Sequence, residues 1–445
     1  MADDRAALAA EAFIYGFALV FDLQEVDRFT QQGIGQVPAT PFNEFGHAGE
    51  LAGPETTFVS INNDTVYSIA QVDLSGGPIR LDVPASNGRY YVLQFVDAWT
   101  NNFAYVGHRA TGTDAGALLF VPPGSDVEAS DGARAIHFPT NVATIVGRWA
   151  VDGDADLPAV AALQAAMTLS PAGAAPGAVA GLPQPATGVA DDLLFFERLR
   201  VWTQAYPPAP RDLEYQARFE PLGLLAEESP FVDPDPALAA ALRDGLRAGK
   251  EQLEQSLRNS PAPKQHGWDL TYHIFDYNLD HFEVGALDAP QWKMAAPDAV
   301  RYLVRAGAAR GGLWGNHGYE AAYAMVYEDG DGDALDGNAR YELRFDPTPP
   351  VGAFWSVTMY DTPDFFLVAN PIDRYSIGDR TPGIRTADDG SLTIVMQREA
   401  PDDEIGRANW LPTPDGPFRP ILRMYEPAEA VFDGSYALPP VTKRG

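Results

Sequence analysis

The chain has 445 residues, and its 61 acidic residues against 31 lysines and arginines give a formal net charge of -30. This charge argues against nucleic acids and anionic membranes as partners, because both are bound by basic surfaces. The sequence contains no cysteine, which excludes disulfides, thiolate nucleophiles and Cys-ligated metal centres.

The first 50 residues predict an N-terminal helical segment, with a helix from Asp4 to about Phe29. Leu8, Phe13 and Phe17 recur at roughly helical spacing, and Gly33 ends the pattern. Acidic residues occupy the place where a signal peptide needs basic ones, and the apolar run is interrupted before it could span a bilayer. We therefore expect a soluble, cytoplasmic protein, although a chain whose leader had been removed would read the same.

A first β section follows in the chain. From about residue 57 to residue 151, short runs such as "IRLDV", "RYYVLQFV" and "GALLFV" are rich in β-branched and aromatic residues and are separated by Gly, Pro, Asn and Asp. This texture predicts an antiparallel β-sandwich domain over residues 51–168.

The middle of the chain, residues 169–330, predicts a linker followed by helices. Residues 170–190 are almost entirely Ala, Gly and Pro and bury little apolar area. Helical patterns then occupy four segments: residues 191–206, 234–259, 269–287 and 297–312.

Strand texture returns in "RYELRF", "AFWSVTMYD", "SLTIVMQ" and "PILRMYEP". A second β-sandwich or jelly roll over residues 331–445 is the natural interpretation. The predicted fold class is therefore α+β, with two antiparallel β-sandwich or jelly-roll domains joined by a helical section.

Common catalytic and cofactor motifs are absent. The sequence contains no G-x-S-x-G, Walker, G-x-G-x-x-G or H-E-x-x-H pattern, so we expect no cofactor and no metal. The run "EDGDGDALDG" from Glu328 lacks the Gly and Glu of a calcium loop at the required positions, where Ala334 and Arg340 stand. A solvated turn is favoured there over a noncanonical cation site.

A stripe of polar residues marks the predicted helix over residues 269–287. His273, Asp276, Tyr277 and Asp280 take positions i, i+3, i+4 and i+7. Such a stripe could do acid–base work in a cleft, and an ordinary solvated helix face is the alternative.

Clusters of Asn, Asp, Arg and aromatic residues recur in both β sections, as in "INNDTVYS", "VDAWTNNFAYVGHRATG", "NPIDRYSIG" and "RANWLPTPDG". Turns stabilised by Asn and Asp are one interpretation of each cluster. A shared binding site is the other, because such sites combine apolar walls with a few convergent polar groups. The candidate catalytic residues are Asp64, Tyr67, Asp97, Arg374 and His273. The candidate substrate-binding residues are Asn62, Asn63, Asn101, Tyr105, Trp355, Asn370, Tyr375, Asn409 and Trp410.

Two expectations about geometry follow from these clusters. The loops at residues 62–67 and around Asn370 and Asn409 should approach one cleft. Arg148 and Arg374, which lie among apolar or aromatic residues, should be partly buried and paired with carboxylates such as Asp64, Asp97 or Asp373.

The same motifs resemble a known family. "NNDTVYSIAQVDLSGGPIRLDVP" and "FPTNVATIVGRWAVDG" resemble the N-terminal member of a bacterial pair known as domains of unknown function 1254 and 1214. "DGDGDALDGNARYELRF", "NPIDRYSIGDR" and "NWLPTPDGPFRPILRMYEP" resemble the C-terminal member. The resemblance implies two β-sandwiches joined by helices and assigns no reaction. His317, in "GLWGNHGYE", and the segment around His273 depart from the family pattern.

Two functions of different classes remain open from the sequence. The first is a cofactor-independent enzyme that uses acid–base side chains for hydrolysis or elimination on a small, mostly neutral polar substrate. The second is a non-catalytic binding protein for a sugar-like or other polar ligand. The expected partner in either case is a small molecule, and a homodimer is compatible with the sequence.

Overall fold

The computed structural model describes residues 2–56, 59–173, 177–258 and 262–445. These residues form an α+β fold with eight α-helices and 19 β-strands. The helices are α1 (Ala2–Gln32), α2 (Leu157–Ala166), α3 (Leu194–Ala205), α4 (Leu213–Ala217), α5 (Pro236–Arg258), α6 (Asp298–Gly312), α7 (Glu404–Ala408) and α8 (Glu429–Phe432).

The strands divide into two groups along the chain. The N-terminal group contains β1 (Phe45–His47), β2 (Thr65–Asp73), β3 (Ile79–Val83), β4 (Tyr91–Asp97), β5 (Asn102–Gly107), β6 (Gly116–Val121), β7 (Arg134–His137), β8 (Val142–Ala150) and β9 (Thr168–Pro171). The C-terminal group contains β10 (Lys264–Gln265), β11 (Trp268–Leu270), β12 (Ala321–Val326), β13 (Arg340–Phe345), β14 (Val351–Asp361), β15 (Ser376–Gly378), β16 (Leu392–Gln397), β17 (Trp410–Pro412), β18 (Phe418–Pro427) and β19 (Val441–Arg444).

The N-terminal strands form two mostly antiparallel sheets, which we call the N-terminal sheet pair. Their strand orders are β1-β2-β8-β4-β5 and β7-β6-β3-β9. Val66, Phe95 and Trp149 of the larger sheet share one hydrophobic core with Leu81 and Phe120 of the smaller sheet. Alternation along each strand directs these apolar side chains inward, and the shared core holds the two sheets together.

The C-terminal strands repeat this arrangement as the C-terminal sheet pair. The strand orders are β10-β11-β12-β18-β14-β15 and β17-β16-β13-β19. Trp355, Leu422 and Met424 of the larger sheet pack with Leu343 and Ile394 of the smaller sheet in a second core. Each half of the chain therefore has its own two-sheet core.

The helices form a third core around α1. Phe13 and Leu19 of α1 pack with Phe196 of α3, Leu242 of α5 and Tyr302 of α6. By length and composition α1 could cross a membrane between Asp4 and Gln32, yet 67% of its most apolar window is buried inside the fold. A buried core helix and the signal sequence of an exported protein can both have this length and composition.

The middle of the chain differs from the sequence prediction in two places. The helix predicted over residues 269–287 is wrong, because Trp268–Leu270 pairs with β12 as strand β11 and the rest forms turns. Three strands of the larger C-terminal sheet (β10, β11 and β12) come from the section expected to be a linker and helices. The Ala-, Gly- and Pro-rich segment joins the N-terminal sheet pair through β9, and residues 174–176 lie outside the described residues.

Candidate functional site

The two sheet pairs face each other through the outer sides of their larger sheets. Along β8, Trp149 lies in the N-terminal core, so its neighbour Arg148 lies on the opposite side of the sheet. Along β18, Met424 lies in the C-terminal core, and Tyr425 lies on the opposite side. The ring of Tyr425 contacts the ring of Tyr90 from the N-terminal half at 5.7 Å. Polar and aromatic residues from both halves therefore meet between the larger sheets.

Arg148 lies at the centre of this contact and is buried. Strand pairing places Tyr67 directly beside it, and the guanidinium carbon is 5.6 Å from the centroid of the Tyr67 ring. Nη1 of Arg148 donates hydrogen bonds to Oε1 of Gln94 at 2.7 Å and Oδ1 of Asn316 at 3.3 Å. Nη2 donates to the carbonyl of Trp314 at 2.8 Å. All three acceptors are neutral.

The loop between α6 and β12 contains two of these acceptors, Oδ1 of Asn316 and the carbonyl of Trp314, and its backbone is unusual. Trp314 has a φ of 61°, in the left-handed region that non-glycine residues seldom adopt. A Cβ at Gly315 would overlap the ring of Phe275, so only glycine fits this position. The carbonyl of Gly315 also accepts hydrogen bonds from the amides of Gln94 at 2.8 Å and Asn102 at 2.9 Å. Unusual backbone at such a loop is typical of a functional site.

We call Tyr67, Arg148, Asn316, Tyr323 and Tyr425 the Arg148 cluster. Within it the amide of Asn316 donates to the hydroxyl of Tyr323 at 3.5 Å. Tyr67 and Tyr323 are half-buried, so the cluster remains partly open to solvent. A buried guanidinium beneath two partly exposed phenols can bind and orient an oxygen-bearing ligand.

Asp64 connects the cluster to the C-terminal sheet pair. Its Oδ2 accepts hydrogen bonds from the hydroxyls of Ser356 at 2.6 Å and Tyr425 at 3.4 Å. Its backbone carbonyl accepts from Nη2 of Arg380 at 3.0 Å. Asp64 therefore contacts the opposite half of the molecule, which a purely local turn would not do.

The neighbouring asparagines have different roles. Asn62 forms a local turn, because its Oδ1 accepts from the backbone nitrogen of Asp64 at 2.5 Å and its amide donates to Thr65 at 2.6 Å. Asn63 bridges two segments, with its amide donating to the carbonyl of Ala52 at 2.5 Å and its Oδ1 accepting from Ser376 at 3.3 Å. The half-buried Asn63 thus also reaches the C-terminal half.

Glu320 lies beside the cluster and is buried. Burial raises the pKa of Glu320 to about 7, although the hydroxyl of Tyr90 donates a 2.8 Å hydrogen bond to Oε1. Oε2 has no hydrogen-bond partner among the residues that the structure describes. A carboxyl group that titrates near neutral pH is suited to both donating and accepting a proton.

A chain of titratable groups leads from the surface to His317. Half-exposed His273 is bonded through Nδ1 to Oδ2 of Asp276 at 2.6 Å. The other carboxylate oxygen of Asp276 lies 3.5 Å from Nδ1 of His317. Burial lowers the pKa of His317, and neither ring nitrogen has a hydrogen-bond partner. The turn, rather than the predicted helix stripe, therefore brings His273 and Asp276 together.

Asp97, Asn101 and Tyr105 use their polar groups inside the fold. Oδ1 of Asp97 accepts from the backbone nitrogens of Trp99 at 2.9 Å and Asn101 at 2.8 Å, and Oδ2 accepts from the Asn101 amide at 2.9 Å. The hydroxyl of Tyr105 accepts from the backbone nitrogen of His317 at 2.9 Å. Asp97 and Asn101 thus hold a loop, and Tyr105 lies behind the Arg148 cluster.

Candidates from the C-terminal half lie apart from the cluster. Arg374 donates to the carbonyls of Ala408 at 3.0 Å and Trp410 at 2.9 Å. Asn370 bonds within its own turn, where its Oδ1 accepts from the backbone nitrogen of Arg374 at 3.0 Å. Tyr375 packs against an apolar group that contains Tyr360 and Ile61 and no member of the Arg148 cluster.

Asn409, Trp410 and Trp355 stabilise the C-terminal sheet pair. The amide of Asn409 donates to the carbonyls of Arg385 and Thr393, and the indole of Trp410 donates to the carbonyl of Gln397. Trp355 lies in the C-terminal core. The structure therefore does not bring these residues to the cluster.

The expected carboxylate partners of the two arginines are wrong. Arg148 and Arg374 are both at least partly buried, as predicted, but their acceptors are amide and carbonyl oxygens. The carboxylates expected as partners bond other groups: Asp64 accepts from Ser356 and Tyr425, Asp97 from the loop at Trp99 and Asn101, and Asp373 from the hydroxyl of Tyr375.

Sequence reasoning missed several members of the site, namely Gln94, Asn316, Tyr323, Glu320, Arg423 and Tyr425. The segment "ILRMYEP" did carry a signal. Its Arg423 and Tyr425 alternate with core residues Leu422 and Met424, which places two polar groups on the face of the strand opposite the core.

The described residues contain no group of three or more His, Asp or Glu side chains arranged to hold a metal ion. In the Asp-rich segment, Oδ1 of Asp329 accepts from the backbone nitrogens of Asp331 and Asp333 at 3.0 Å each. Two surface hollows, of about 70 Å³ beside Asp73 and about 470 Å³ beside Asp82, share no residue with the Arg148 cluster. We base the site on the cluster, because neither hollow is lined by a buried arginine.

Comparisons with known proteins agree with this architecture. Residues 42–171 match the family model "Protein of unknown function (DUF1254)", and residues 320–429 match "Protein of unknown function (DUF1214)". No curated protein matches the chain.

Two solved structures are similar to the chain. The crystal structure of the VPA0106 protein from Vibrio parahaemolyticus has a TM-score of 0.74 and 22% sequence identity, and covers 99% of this chain and 100% of its own. A putative uncharacterized protein from Burkholderia cenocepacia has a TM-score of 0.45 and 12% identity, over 100% of this chain and 95% of its own. The first likeness supports the fold alone.

Proposed function

This chain belongs to the protein family that pairs a DUF1254 domain with a DUF1214 domain, and we propose that it is a cofactor-independent enzyme whose active site is the Arg148 cluster. The observation that carries the proposal is the buried Arg148 guanidinium, which bonds only neutral oxygens beneath the half-buried rings of Tyr67 and Tyr323. Such a group can bind a substrate oxygen and stabilise negative charge that develops on it.

The proposed reaction is proton transfer coupled to hydrolysis or elimination on a small polar molecule. Tyr67 lies beside Arg148 and is partly exposed, so its hydroxyl is the proposed proton donor to the substrate. Asp64, which accepts a hydrogen bond from Tyr425 on the facing sheet, is the proposed base. Glu320, with a pKa of about 7, is a second group able to exchange protons near neutral pH.

A non-catalytic binding protein is the second candidate. The observation in its favour is that Oδ2 of Asp64 already accepts from Ser356 at 2.6 Å, which makes this carboxylate a structural bridge as well as the proposed base. A binding protein would need Arg148 and the aromatic rings and would not need Tyr67 to release a proton.

The test uses the full chain incubated with a bacterial metabolite mixture, in which consumption and retention of each compound are followed by mass spectrometry. We expect the wild type to consume one compound, Tyr67→Phe to retain it without turnover, and Arg148→Met to do neither. Retention without turnover by the wild type would favour the binding protein. Consumption by Arg148→Met at the wild-type rate would remove the cluster as the site.

We further propose that each sheet pair is a β-sandwich of the jelly-roll type. The antiparallel order of most strands and the single core of each pair support this assignment. In such folds the outer faces are available for function, which is where the Arg148 cluster lies.

A further inference from the structure

Three arginines are buried on the facing sides of the two larger sheets. Arg148 of β8 is 7% exposed, Arg419 of β18 is 5% exposed and Arg423 of β18 is 4% exposed. A chain with a formal net charge of -30 therefore concentrates positive charge at one internal junction.

The acceptors of all three guanidinium groups are neutral. Arg423 donates to the hydroxyl of Thr358 at 3.0 Å and to the carbonyl of Ser60 at 2.7 Å. Arg419 donates to the hydroxyls of Tyr327 and Ser60, and its Nε has no hydrogen-bond partner. Within the described residues, no carboxylate lies at ion-pair distance from these arginines.

Two other buried arginines of the same chain are paired with acids, whereas buried Arg305 donates to the carbonyl of Tyr15 and lies over the rings of Trp99 and Tyr302. Arg200 contacts Glu197 at 2.8 Å, and Arg301 contacts Asp212 at 2.5 Å. A buried charge without a counter-charge is unfavourable, because the protein interior solvates it poorly. Asp64 interacts with Arg423 and Glu320 interacts with Arg148, and these two carboxyl groups do not balance three guanidinium groups.

Arg148 retains hydrogen-bonding capacity for a ligand. An arginine has five N–H donors, and three hydrogen bonds from Arg148 leave two N–H groups without an acceptor among the described residues. Two N–H groups on one planar guanidinium match the two oxygens of a carboxylate. A phosphate can also accept such a pair of donors, so the probes below include one.

The residues that line the junction indicate the chemistry of the rest of the ligand. Tyr67, Tyr323 and Met325 are half-buried on the facing sheets, and Met325 belongs to an apolar group with Tyr360 and Ile421. We infer that the Arg148 cluster binds a small carboxylate anion with an aromatic or other apolar body. This inference rests on the proposed function and replaces the mostly neutral substrate expected from the sequence.

The test compares three probes that share a phenyl ring, each added to the full chain: benzoate, its neutral isostere benzamide, and phenyl phosphate. Titration calorimetry measures the affinity for each probe. We expect benzoate to bind about tenfold or more tightly than benzamide, because a charge-assisted hydrogen bond is about twice as strong as a neutral one.

Variants locate the binding. Arg148→Met should lose benzoate affinity by about tenfold or more, and Arg148→Lys, which keeps the charge and loses the planar pair of donors, should lose part of it. The matched control is Arg374→Met, since the half-buried Arg374 donates to neutral carbonyl oxygens but lies outside the cluster. The control should bind benzoate like the wild type.

Each contrary outcome has a distinct meaning. Equal binding of benzoate and benzamide, both lost in Arg148→Met, would overturn the anion inference and leave the proposed site intact. Tighter binding of phenyl phosphate than of benzoate would overturn the carboxylate assignment. Absence of saturable benzoate binding at about 1 mM, or binding that Arg148→Met and Arg148→Lys leave unchanged, would overturn the inference altogether.

Discussion

Oδ2 of Asp64 accepts a 2.6 Å hydrogen bond from the hydroxyl of Ser356. Asp64 precedes β2 of the N-terminal sheet pair, and Ser356 lies on β14 of the C-terminal sheet pair. The same carboxylate oxygen accepts from Tyr425 of β18 at 3.4 Å. One buried side chain thus joins the two halves on either side of the proposed active site.

Asp64→Ala should therefore destabilise the fold by about 2 to 3 kcal/mol, because it leaves two buried hydroxyl donors without their acceptor. Asp64→Asn keeps an acceptor oxygen and should cost less. Urea unfolding followed by tryptophan fluorescence measures both. The control is Asp388→Ala, since Asp388 is exposed. Equal stability of Asp64→Ala and the control would show that the bond does not hold the halves together.

Glu320 gives the stability of the protein a pH dependence. Burial raises its pKa from 4.5 to about 7. Between these two pH values the folded chain keeps the proton that the unfolded chain has already released. The contribution of Glu320 to the free energy of unfolding is therefore complete below pH 4.5 and is lost as the pH rises through about 7. The loss corresponds to about 3 kcal/mol at most.

Glu320→Gln should remove this dependence, because its amide does not titrate. The charged and titratable groups that face Glu320 are Tyr90, Tyr105, Arg109, Arg148 and Glu426. They remain in the variant, so the difference between the two unfolding free energies isolates Glu320. Unfolding in urea at a series of pH values from 4 to 8 supplies the curves. Parallel curves would contradict the raised pKa.

The spacing of apolar residues and the runs of β-branched and aromatic residues were sufficient to predict the two β sections and the helix at the N-terminus. The sequence also singled out Asp64 and Tyr67, which lie at the junction between the halves. The β sections and the helix could be predicted because they depend on local alternation, whereas the roles of Asp64 and Tyr67 in a site stay a prediction.

The partners across the junction could not be predicted, because alternation assigns a residue to a face and does not say what covers that face. Phe354 and Trp355 are adjacent on β14, yet Phe354 lies against Arg380 at the junction and Trp355 lies in the core. The helix predicted around His273 fails for a related reason. Its spacing fits a helix by coincidence, and pairing of the preceding residues with β12 decides the conformation.

The contact between α1 and α5 depends on glycine. A Cβ at Gly245 would overlap Cβ of Ala9 and come within 2.8 Å of the backbone nitrogen of Ala10. Gly245→Ala gains about 1 kcal/mol of helix propensity, but the backbone of α1 cannot yield easily, and overpacking costs about 1 to 3 kcal/mol. We therefore expect Gly245→Ala to have a lower melting temperature than the wild type.

The matched control for Gly245 is Gly307→Ala in α6. A Cβ at Gly307 would meet only the side chains of Leu257 and Ser256, at 3.8 and 3.9 Å. This variant should be more stable than the wild type by about 0.5 to 1 kcal/mol, because helix propensity acts without a clash. A stabilised Gly245→Ala would show that the two helices do not pack this closely.

The final prediction tests whether Asn409 stabilises the C-terminal sheet pair or takes part in ligand binding. This buried amide donates to the carbonyls of Arg385 at 2.7 Å and Thr393 at 3.0 Å, and its Oδ1 accepts from the backbone nitrogen of Arg385 at 2.9 Å. Asn409→Ala leaves these backbone groups unpaired and should cost about 2 to 4 kcal/mol. Asn370→Ala breaks a half-exposed turn, where water can replace the lost bonds, and should cost less. Calorimetric unfolding measures both variants, and benzoate titration measures the site. Reduced benzoate affinity in folded Asn409→Ala would return Asn409 to the binding residues, whereas lower stability with unchanged affinity would confine it to the C-terminal sheet pair.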